Sequence, residues 1–251
     1  MSKLSNKIAI VTGAGSGFGA AIAQAYIQAN AKVVLADANL NAAQGVAAAL
    51  GGNARAVACD VTRFDQVQAM VRHCVERFGA PDIVVNNAGT THRNQSMLEV
   101  DEDTFDRVFA VNVKSIYHMT RAVVPLMKEK KKGGVIINVG SVGGIRPRPG
   151  LTWYNSSKGA VKVMTKSMAV ELASDDIRVN LISPVMAPTG LLTEFMGVAD
   201  TAENRSRFVS TIPLGRMCDP VDVANAALFL ATDDARFLTG IEMPVDGGRS
   251  V

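Results

Sequence analysis

The sequence predicts an α/β fold built as a doubly wound parallel sheet of seven strands, and two observations carry this prediction. Short, β-branched apolar runs alternate along the chain with longer, alanine-rich amphipathic stretches. The short runs are apolar at successive positions, which is the pattern of parallel strands whose two faces are both covered by helices. Neither an internal repeat nor a long linker divides the 251 residues, of which 48% are hydrophobic. We therefore expect a single domain over residues 1–251.

Seven apolar runs are the predicted strands: Ile8–Val11, Val33–Ala36, Ala56–Cys59, Ile83–Val85, Val135–Val139, Arg178–Ile182 and Ile241–Val245. The stretches between them are predicted helices, near 17–29, 39–50, 64–78, 101–126, 153–173 and 219–231. In sheets of this kind ligands bind beyond the carboxyl ends of the strands, so residues at those ends are the candidates for function. The segment near 184–213 breaks the alternation and is predicted to be irregular. Connections of this length are usually lids or substrate-binding insertions, so we expect a substrate loop there.

Charge and composition exclude several classes of function. The formal net charge is +3, which is too small by itself to indicate binding of nucleic acid or of a membrane surface. The chain contains no apolar run of about 18 residues that could span a bilayer. Its three cysteines and three histidines lack the spacing of a metal site. The odd number of cysteines, with no CxxC pair, indicates reduced thiols in a cytosol. Together, these observations lead us to expect a soluble, cytoplasmic protein without a metal, a nucleic-acid partner or a membrane.

A glycine-rich turn, Thr12-Gly13-Ala14-Gly15-Ser16-Gly17-Phe18-Gly19, follows the first strand and leads into the first helix. Glycines let the backbone approach a pyrophosphate, which the free N–H groups and the partial positive charge of a helix N-terminus stabilise. Gly13, Gly17 and Gly19, together with Ser16 and Phe18, are therefore candidates for binding a dinucleotide.

Asp37, at the end of the second strand, predicts which dinucleotide binds. A carboxylate there accepts hydrogen bonds from the adenosine ribose hydroxyls and repels a 2′-phosphate. Because Ser16 and its neighbours offer no compensating arginine, the prediction is NAD rather than NADP. The alternative is that Asp37 is only a turn residue.

Polar residues recur at the next two strand ends. Asp60 and Val61 follow the third strand, and Asn86-Asn87-Ala88-Gly89 follows the fourth. Each group alone fits ordinary turn chemistry, but their recurrence at one sheet edge indicates a shared site.

Tyr154 and Lys158 lie four positions apart at the start of a predicted helix, so their side chains share one face. A phenol normally titrates near 10, and bringing its pKa close to neutrality costs about 4 kcal/mol. One ammonium about 4 Å away supplies a similar amount at an effective dielectric constant near 20. We therefore expect Lys158 to lower the pKa of Tyr154, assisted by the positive charge of an oxidised nicotinamide. Ser141, just past the fifth strand, is the candidate to hold the substrate oxygen.

Together these residues resemble the short-chain dehydrogenases/reductases, in the order and spacing of that family. The resemblance spans nearly the whole chain and rests on Thr12–Gly19, Asp60, Asn86–Gly89, Asn112, Ser141, Tyr154, Lys158, Pro184 to Thr189, and Val245–Gly248. It implies a Rossmann fold, a homotetramer and a small-molecule alcohol or carbonyl substrate. One departure is Val185, where the family usually has a glycine after Pro184, and it leaves the shape of the nicotinamide loop open.

The resemblance also implies a role for each site residue. Tyr154 is the general acid/base, Ser141 orients the carbonyl, and Lys158 binds the nicotinamide ribose and lowers the pKa of the phenol. Asn112 anchors a water in the proton relay. The cofactor contacts it implies are Asp60 and Val61 to the adenine, Asn87 to the adenosine side, and Ala187 and Thr189 to the carboxamide, with Ala88, Gly89 and Pro184 completing the set.

Arginines lie in two segments expected to wall the substrate pocket: Arg93 after the fourth strand, and Arg146 and Arg148 after Ser141. They suit an anionic substrate such as a carboxylate, sulfonate or phosphate. The alternative is that they form salt bridges or subunit contacts. Three local stretches are also similar to bacterial 4-(hydroxymethyl)benzenesulfonate dehydrogenases, namely Asn86–Asn94, Gly150–Tyr154 and Phe195–Arg205.

Two other functions stay open. A 3-oxoacyl-ACP reductase shares the fold and the catalytic residues, and the lysine-rich run 128–132 could meet an acidic carrier protein. That run otherwise fits a solvated helix C-terminus, and such a reductase is expected to use NADPH, which Asp37 disfavours. A non-catalytic NAD-sensing regulator is expected to lose Tyr154 or Lys158, and both are present.

Overall fold

The computed structural model describes residues 3–251, so residues 1 and 2 of the predicted domain lie outside the described residues. Its centre is a parallel sheet with the strand order β3-β2-β1-β4-β5-β6-β7. The strands are β1 (Ile8–Thr12), β2 (Lys32–Asp37), β3 (Ala54–Ala58), β4 (Ile83–Asn86), β5 (Gly134–Val139), β6 (Ile177–Pro184) and β7 (Glu242–Val245). The predicted fold class is confirmed, and each predicted strand lies within two residues of the observed one at either end.

Helices cover both faces of this sheet. They are α1 (Gly17–Gln28), α2 (Leu40–Leu50), α3 (Phe64–Arg77), α4 (Glu102–Phe109), α5 (Ser115–Lys130), α6 (Thr152–Leu172), α7 (Leu192–Met196), α8 (Ala202–Val209) and α9 (Pro220–Ala231). Short 3-10 turns lie at Met97–Glu99, Val142–Gly144, Ala173–Asp175 and Asp233–Ala235. Within residues 3–251, no helix is both long and apolar enough to cross a membrane.

Two hydrophobic cores, one on each face of the sheet, explain why the strands are apolar at successive positions. Ala9 and Val11 of β1 pack into the core that includes side chains of α1 and α9. Ile8 and Ile10, which alternate with them, pack into the opposite core with side chains of α3 and α5. β1 therefore buries both of its faces.

The predicted helix 101–126 is interrupted in the structure. It consists of α4 and α5, which are separated by a π-helical turn at Ala110–Lys114. Such turns are rare and occur often at functional sites. This one carries the buried Asn112, and its Val111 lines the cleft described below.

The expectation that segment 184–213 is irregular is wrong in part, because α7 and α8 lie inside it. Thr201 caps the N-terminus of α8, and its hydroxyl accepts a hydrogen bond from the Asn204 amide. An Arg207–Glu203 ion pair spans one turn of the same helix. A polar cap and a surface ion pair stabilise α8, and none of its side chains is buried. Because α8 lacks a regular apolar spacing, the sequence pattern did not predict a helix there.

The strand order reverses between β1 and β4, with β2 and β3 on one side and β5 to β7 on the other. In open parallel sheets, the crevice at the carboxyl ends beside such a switch point binds the ligand. The glycine-rich turn after β1 and the Asn86–Gly89 segment after β4 meet at this point.

Candidate active site

The turn between β1 and α1 is a tightly packed backbone cradle. Gly19 must lack a side chain, because a Cβ there would lie 2.2 Å from the carbonyl oxygen of Gly13. Gly13 itself has a φ of +62°, in the left-handed region that favours glycine. Among the described residues, no side chain caps the N-terminus of α1, and its first turn contains no acidic residue. The N-terminal amides of α1 are therefore suited to an anion, and the cradle fits the pyrophosphate of a dinucleotide.

The segment after β4 holds this cradle in place. The Asn87 side-chain amide donates to the carbonyl oxygens of Thr12, at 2.8 Å, and of Gly13, at 3.1 Å. The Thr12 hydroxyl in turn accepts from the backbone amides of Asn87 and Ala88. Asn87 was expected on the adenosine side of the cofactor, and in the structure its amide is tied to the glycine turn. Thr12 therefore positions both segments. The sequence did not indicate this role, because Thr12 lies at the end of a β-branched run.

Asp37 and Asp60 present carboxylates beside the cradle. Asp37 Oδ2 accepts from the Gly15 amide at 2.9 Å and Oδ1 from the Asn39 amide at 2.8 Å, so the residue also has the turn role considered above. Asp60 Oδ1 accepts from both the amide and the hydroxyl of Thr62. Both carboxylates are thereby fixed in orientation at the edge of the cleft.

One cleft gathers most of the predicted cofactor residues. Its lining includes Gly13, Ser16, Gly17, Phe18, Asp37, Asp60, Val61, Asn87, Ala88, Gly89, Tyr154, Lys158 and Thr189. Gly19 is buried against Gly13, and Pro184 and Ala187 line an adjoining cavity. The cleft thus contains both the backbone cradle of the glycine-rich turn and the Tyr154–Lys158 pair.

The departure at Val185 is accommodated without strain. The backbone of this residue does not have a positive φ, and its amide donates to the carbonyl oxygen of Val245 at 3.1 Å. Its side chain packs against the core that includes α1 and α9. A glycine is therefore not required at this position after β6.

Tyr154 and Lys158 are both buried at the start of α6. Burial raises the pKa of Tyr154 to about 12, and a hydrogen bond with Ser141 lowers it in part. Burial also lowers the pKa of Lys158 to about 8. The Lys158 Nζ donates to the Val139 carbonyl oxygen at 2.9 Å and lies 5.9 Å from the centroid of the Tyr154 ring. Lys158 was expected to lower the pKa of Tyr154. In the chain without a cofactor that pKa is raised instead, because desolvation of the phenol dominates.

Asn112, on the π-helical turn, connects the substrate side of the cleft to α6. Its Oδ1 accepts from the Thr90 amide, and its Nδ2 donates to the Thr90 carbonyl oxygen and to the Ser157 hydroxyl, each at 2.9 Å. Ser157 donates onward to the carbonyl oxygen of Tyr154. The Asn112 side chain is thus held by Thr90 and Ser157, and its role in anchoring a water stays a prediction of the family resemblance. Thr90 and Ser157 gave no signal in the sequence.

A second cavity opens beside Tyr154 and is lined by Ser141 and by apolar side chains of the 184–213 segment. Tyr154 and Thr189 line both this cavity and the cofactor cleft. The ring of Phe195 on α7 lies edge-on to the ring of Tyr154, with centroids 4.9 Å apart. Tyr154 therefore lies where the two spaces meet.

The structure separates the three arginines of the predicted substrate pocket. Arg146 and Arg148 line the second cavity, together with Arg249 from the segment after β7, which the sequence did not single out. Arg93 is exposed and lines a different depression, beside His92 and Arg107. The arginines after Ser141 thus share a cavity with Tyr154, and Arg93 does not.

Comparisons with known proteins agree with this geometry. A family model described as enoyl-(acyl carrier protein) reductase matches residues 13–250. The 4-formylbenzenesulfonate dehydrogenase of Comamonas testosteroni is 49% identical over 251 residues, covering 99% of this chain and 99% of that protein.

Solved structures share the whole fold. A 3-ketoacyl-(acyl-carrier-protein) reductase from Brucella melitensis, complexed with NADH, matches with a TM-score of 0.94 and 43% identity, covering 99% of this chain and 100% of that chain. A short-chain type dehydrogenase/reductase from Mycobacterium marinum matches with a TM-score of 0.91 and 37% identity, covering 99% and 97% of the two chains. From the glycine-rich turn to the segment after β7 the match is continuous, and the chain belongs to the short-chain dehydrogenase/reductase family of oxidoreductases.

Proposed function

We propose that the protein is an NAD-dependent oxidoreductase that interconverts an alcohol and a carbonyl compound, with Tyr154 as the general acid/base. The observation that carries this proposal is the position of Tyr154, which lines both the cofactor cleft and the adjoining cavity. A proton donor and acceptor at that junction can reach the oxygen of a substrate whose carbon faces the nicotinamide.

The residues of the cleft suit NAD. Its pyrophosphate would be held at the N-terminus of α1, its adenosine ribose by Asp37, and its nicotinamide half beside Lys158, Ala187 and Thr189. When bound, NAD accepts or supplies the hydride. Asp37 disfavours a 2′-phosphate by like charge, and the relative from Brucella melitensis was solved with NADH.

The chain's own residues handle the substrate oxygen and its proton. Tyr154 donates a proton to the oxygen in reduction and accepts one in oxidation, while the Ser141 hydroxyl holds the oxygen by a hydrogen bond. With a pKa raised by burial, the phenol is protonated at neutral pH and ready to act as an acid. As a base it needs positive charge beside it, which Lys158 and the oxidised nicotinamide ring supply.

Replacing Tyr154 by phenylalanine tests the proposal. The variant removes one hydroxyl from a buried ring, so the fold and NAD binding should persist while kcat falls by about 10²–10⁴-fold. Steady-state assays on a panel of alcohols and aldehydes, with NAD binding measured by calorimetry, check both parts. Tyr117→Phe, at an exposed tyrosine of α5, is the matched control and should leave kcat unchanged.

A Tyr154→Phe variant that kept more than about a tenth of the native kcat would contradict the proposed role. A native protein that binds NAD and turns over no alcohol or carbonyl compound would favour the non-catalytic regulator instead.

A second candidate is a 3-oxoacyl-ACP reductase, which the relative from Brucella melitensis favours. The lysine-rich run at the C-terminal end of α5 gives this candidate less support than its charge suggests. Lys128 pairs with Asp175 at 2.7 Å and Lys130 pairs with Asp82, so part of its charge is neutralised within the chain. A higher kcat/KM for an acetoacetyl thioester with NADPH than for small alcohols with NAD would favour the reductase.

Two further expectations, on assembly and on location, accompany the proposal. A homotetramer is proposed from the family, with contacts through the helices near 101–126 and 153–173; exposed apolar side chains on α5 and α6 support it. A cytoplasmic location stays a prediction from the cysteine content. Cys59, Cys74 and Cys218 are all free and buried, which is compatible with reduced thiols.

A further inference from the structure

The cavity beside Tyr154 is lined by three arginines and, within residues 3–251, by no acidic residue. Although Arg146 donates a hydrogen bond to the Val251 carbonyl oxygen at 3.4 Å, none of the Arg146, Arg148 and Arg249 side chains forms an ion pair with a described Asp or Glu. Other arginines of the chain do, such as Arg205 with Asp200 and Arg216 with Asp222. Cations collected in a partly buried cavity without counter-ions repel one another, so the arrangement is suited to an anion that arrives from outside.

Arg148 is the most constrained of the three. One of its terminal nitrogens donates to the Phe195 carbonyl oxygen at 2.6 Å, and its guanidinium carbon lies 4.6 Å from the centroid of the Phe208 ring. Burial and the charge of Arg249 both lower the pKa of Arg148. An arginine has five N–H donors, and the Phe195 bond is the only one that the described residues show for this side chain. The remaining donors are free for a ligand.

Arg249 is brought to the cavity by a fixed turn. The buried Asp246 carboxylate accepts from the amides of Gly248 and Ser250, and the Arg146 guanidinium donates to the Arg249 carbonyl oxygen at 2.8 Å. The Arg249 side chain itself donates no hydrogen bond to the described residues. Its backbone is therefore held in place while its guanidinium stays available.

We propose that Arg148 and Arg249 bind an oxyanion group, a carboxylate or a sulfonate, on the substrate, and that Arg146 positions Arg249. This inference rests on the proposed function for the reacting end of the substrate, since Tyr154 lines the same cavity. Guanidinium pairs suit planar or tetrahedral oxyanions because each can donate two parallel hydrogen bonds. The substrate class is thus an anionic alcohol or carbonyl compound.

The rest of the cavity describes the body of that substrate. Phe195, Phe208 and Ile212 contribute apolar walls, and the Phe195 ring also contacts Tyr154. A ligand between these walls has an apolar or aromatic body that carries both the anion and the reacting carbon. A flexible polar substrate would leave these walls unused.

Benzyl alcohol and two derivatives with a para anionic group separate the anion site from catalysis. Benzyl alcohol, 4-(hydroxymethyl)benzoate and 4-(hydroxymethyl)benzenesulfonate are compared with NAD on the native protein and on Arg249→Met. We expect kcat/KM to fall about tenfold or more for at least one of the two anions, mainly through KM, and to stay nearly constant for benzyl alcohol. The preferred anion identifies the oxyanion. Arg93→Met, which changes an arginine outside the cavity, is the matched control and should behave as native.

Binding of benzenesulfonate and benzoate, measured by calorimetry with benzamide as the neutral comparator, gives a readout independent of turnover. The Kd of the preferred anion should rise about tenfold in Arg249→Met and should stay unchanged in Arg93→Met. Because Arg148 also holds Phe195, Arg148→Lys is used beside Arg148→Met to keep the charge and the fold, and it should weaken the anion less than methionine does.

Arg146 is tested as a positioning residue. Arg146→Met should raise KM for the anion without changing kcat for benzyl alcohol, and Arg146→Lys should restore part of the loss. Adding Arg146→Met to Arg249→Met should cost little more, because both act through one guanidinium.

Two results would overturn the inference: neither anion binds the native protein, or Arg249→Met and Arg93→Met affect the anions and their neutral comparators alike. If the native protein bound an anion in an Arg249-dependent way but turned over none of the three alcohols, that result would contradict the proposed function and leave the anion site standing.

Discussion

Burial sets the protonation states of the two titratable side chains at the centre of the site. Tyr154 and Lys158 share one face of α6, and desolvation moves both pKa values toward the neutral forms, to about 12 and about 8. The spacing of these residues could be predicted from the sequence. The direction of the tyrosine shift could not, because it depends on packing, including the Phe195 ring from α7, in a segment that the sequence indicated as irregular.

Replacing Lys158 by methionine tests the buried amine. Between the pKa of about 8 in the folded chain and 10.5 for an ordinary lysine, the unfolded chain binds more protons than the folded one. The buried thiols of Cys59, Cys74 and Cys218, whose pKa values burial raises, should lower stability above about pH 9 in the native protein and the variant alike. The contribution of Lys158 to the stability of the native protein should rise with pH across the window from about 8 to 10.5, by up to about 3 kcal/mol at about 1.4 kcal/mol for each pH unit. Lys158→Met should lack this rise. Urea unfolding of both proteins at pH 7 and pH 10, without cofactor, measures the difference.

Lys166→Met serves as the control, since Lys166 is exposed on the same helix. It should follow the pH dependence of the native protein. If Lys158→Met followed that dependence too, the amine would not be desolvated in the folded chain.

At the scale of elements, the site is made by strand ends that the sequence locates well. β1, β2 and β4 end at the glycine-rich turn, at Asp37 and at Asn86–Gly89, and hydrogen bonds join all three segments. These ends are predictable because parallel strands carry long apolar runs that stop abruptly. The π-helical turn at Ala110–Lys114 is not predictable in the same way, since its sequence continues a helical pattern. Its position depends on the bonds that Asn112 makes to Thr90 and Ser157.

Asp37 joins two of these elements and is predicted to set the cofactor preference. The ratio of kcat/KM with NAD to that with NADP should fall about tenfold or more in Asp37→Ala, because a charge-assisted hydrogen bond contributes about 1.5–3 kcal/mol. Asp37→Asn keeps an acceptor for the Gly15 amide and separates loss of charge from loss of the loop contact. Steady-state kinetics with both dinucleotides measure the ratio, and Asp65→Asn, at an exposed carboxylate of α3, is the control. A native protein that uses NADP as well as NAD would refute the prediction.

At the scale of the whole molecule, the cavity depends on contacts between residues far apart in the chain. The bond from Arg146 to the Arg249 carbonyl joins positions separated by 103 residues. Local patterns indicated that arginines follow Ser141, and they could not indicate that a third arrives from beyond β7. They also could not exclude Arg93, because its distance from the cavity follows from the course of the chain after β4. The residues proposed to take part in the reaction were therefore easier to find in the sequence than the residues proposed to select the substrate.

The outer face of α6 connects the fold to its expected assembly. Val163 and Val170 are separated by two helical turns and therefore lie on one face, with 64% and 82% of their surfaces exposed. Tyr117 on α5 is half exposed as well. Apolar side chains on helices that are expected to meet symmetry mates indicate a self-complementary contact, as closed two-fold interfaces require.

Light scattering at micromolar concentration should therefore give a mass near four times the 26.5 kDa of one chain. A double variant, Val163→Glu with Val170→Glu, should lower that mass, because each two-fold contact would bring like charges together in a desolvated interface. In a single chain the same exposed substitutions should cost no more than about 0.5 kcal/mol each, so circular dichroism should stay native. Val75→Glu, on α3 away from the expected contact, should keep the full mass. A monomeric native protein would contradict the predicted assembly, and an unchanged mass in the double variant would place the contact on another face.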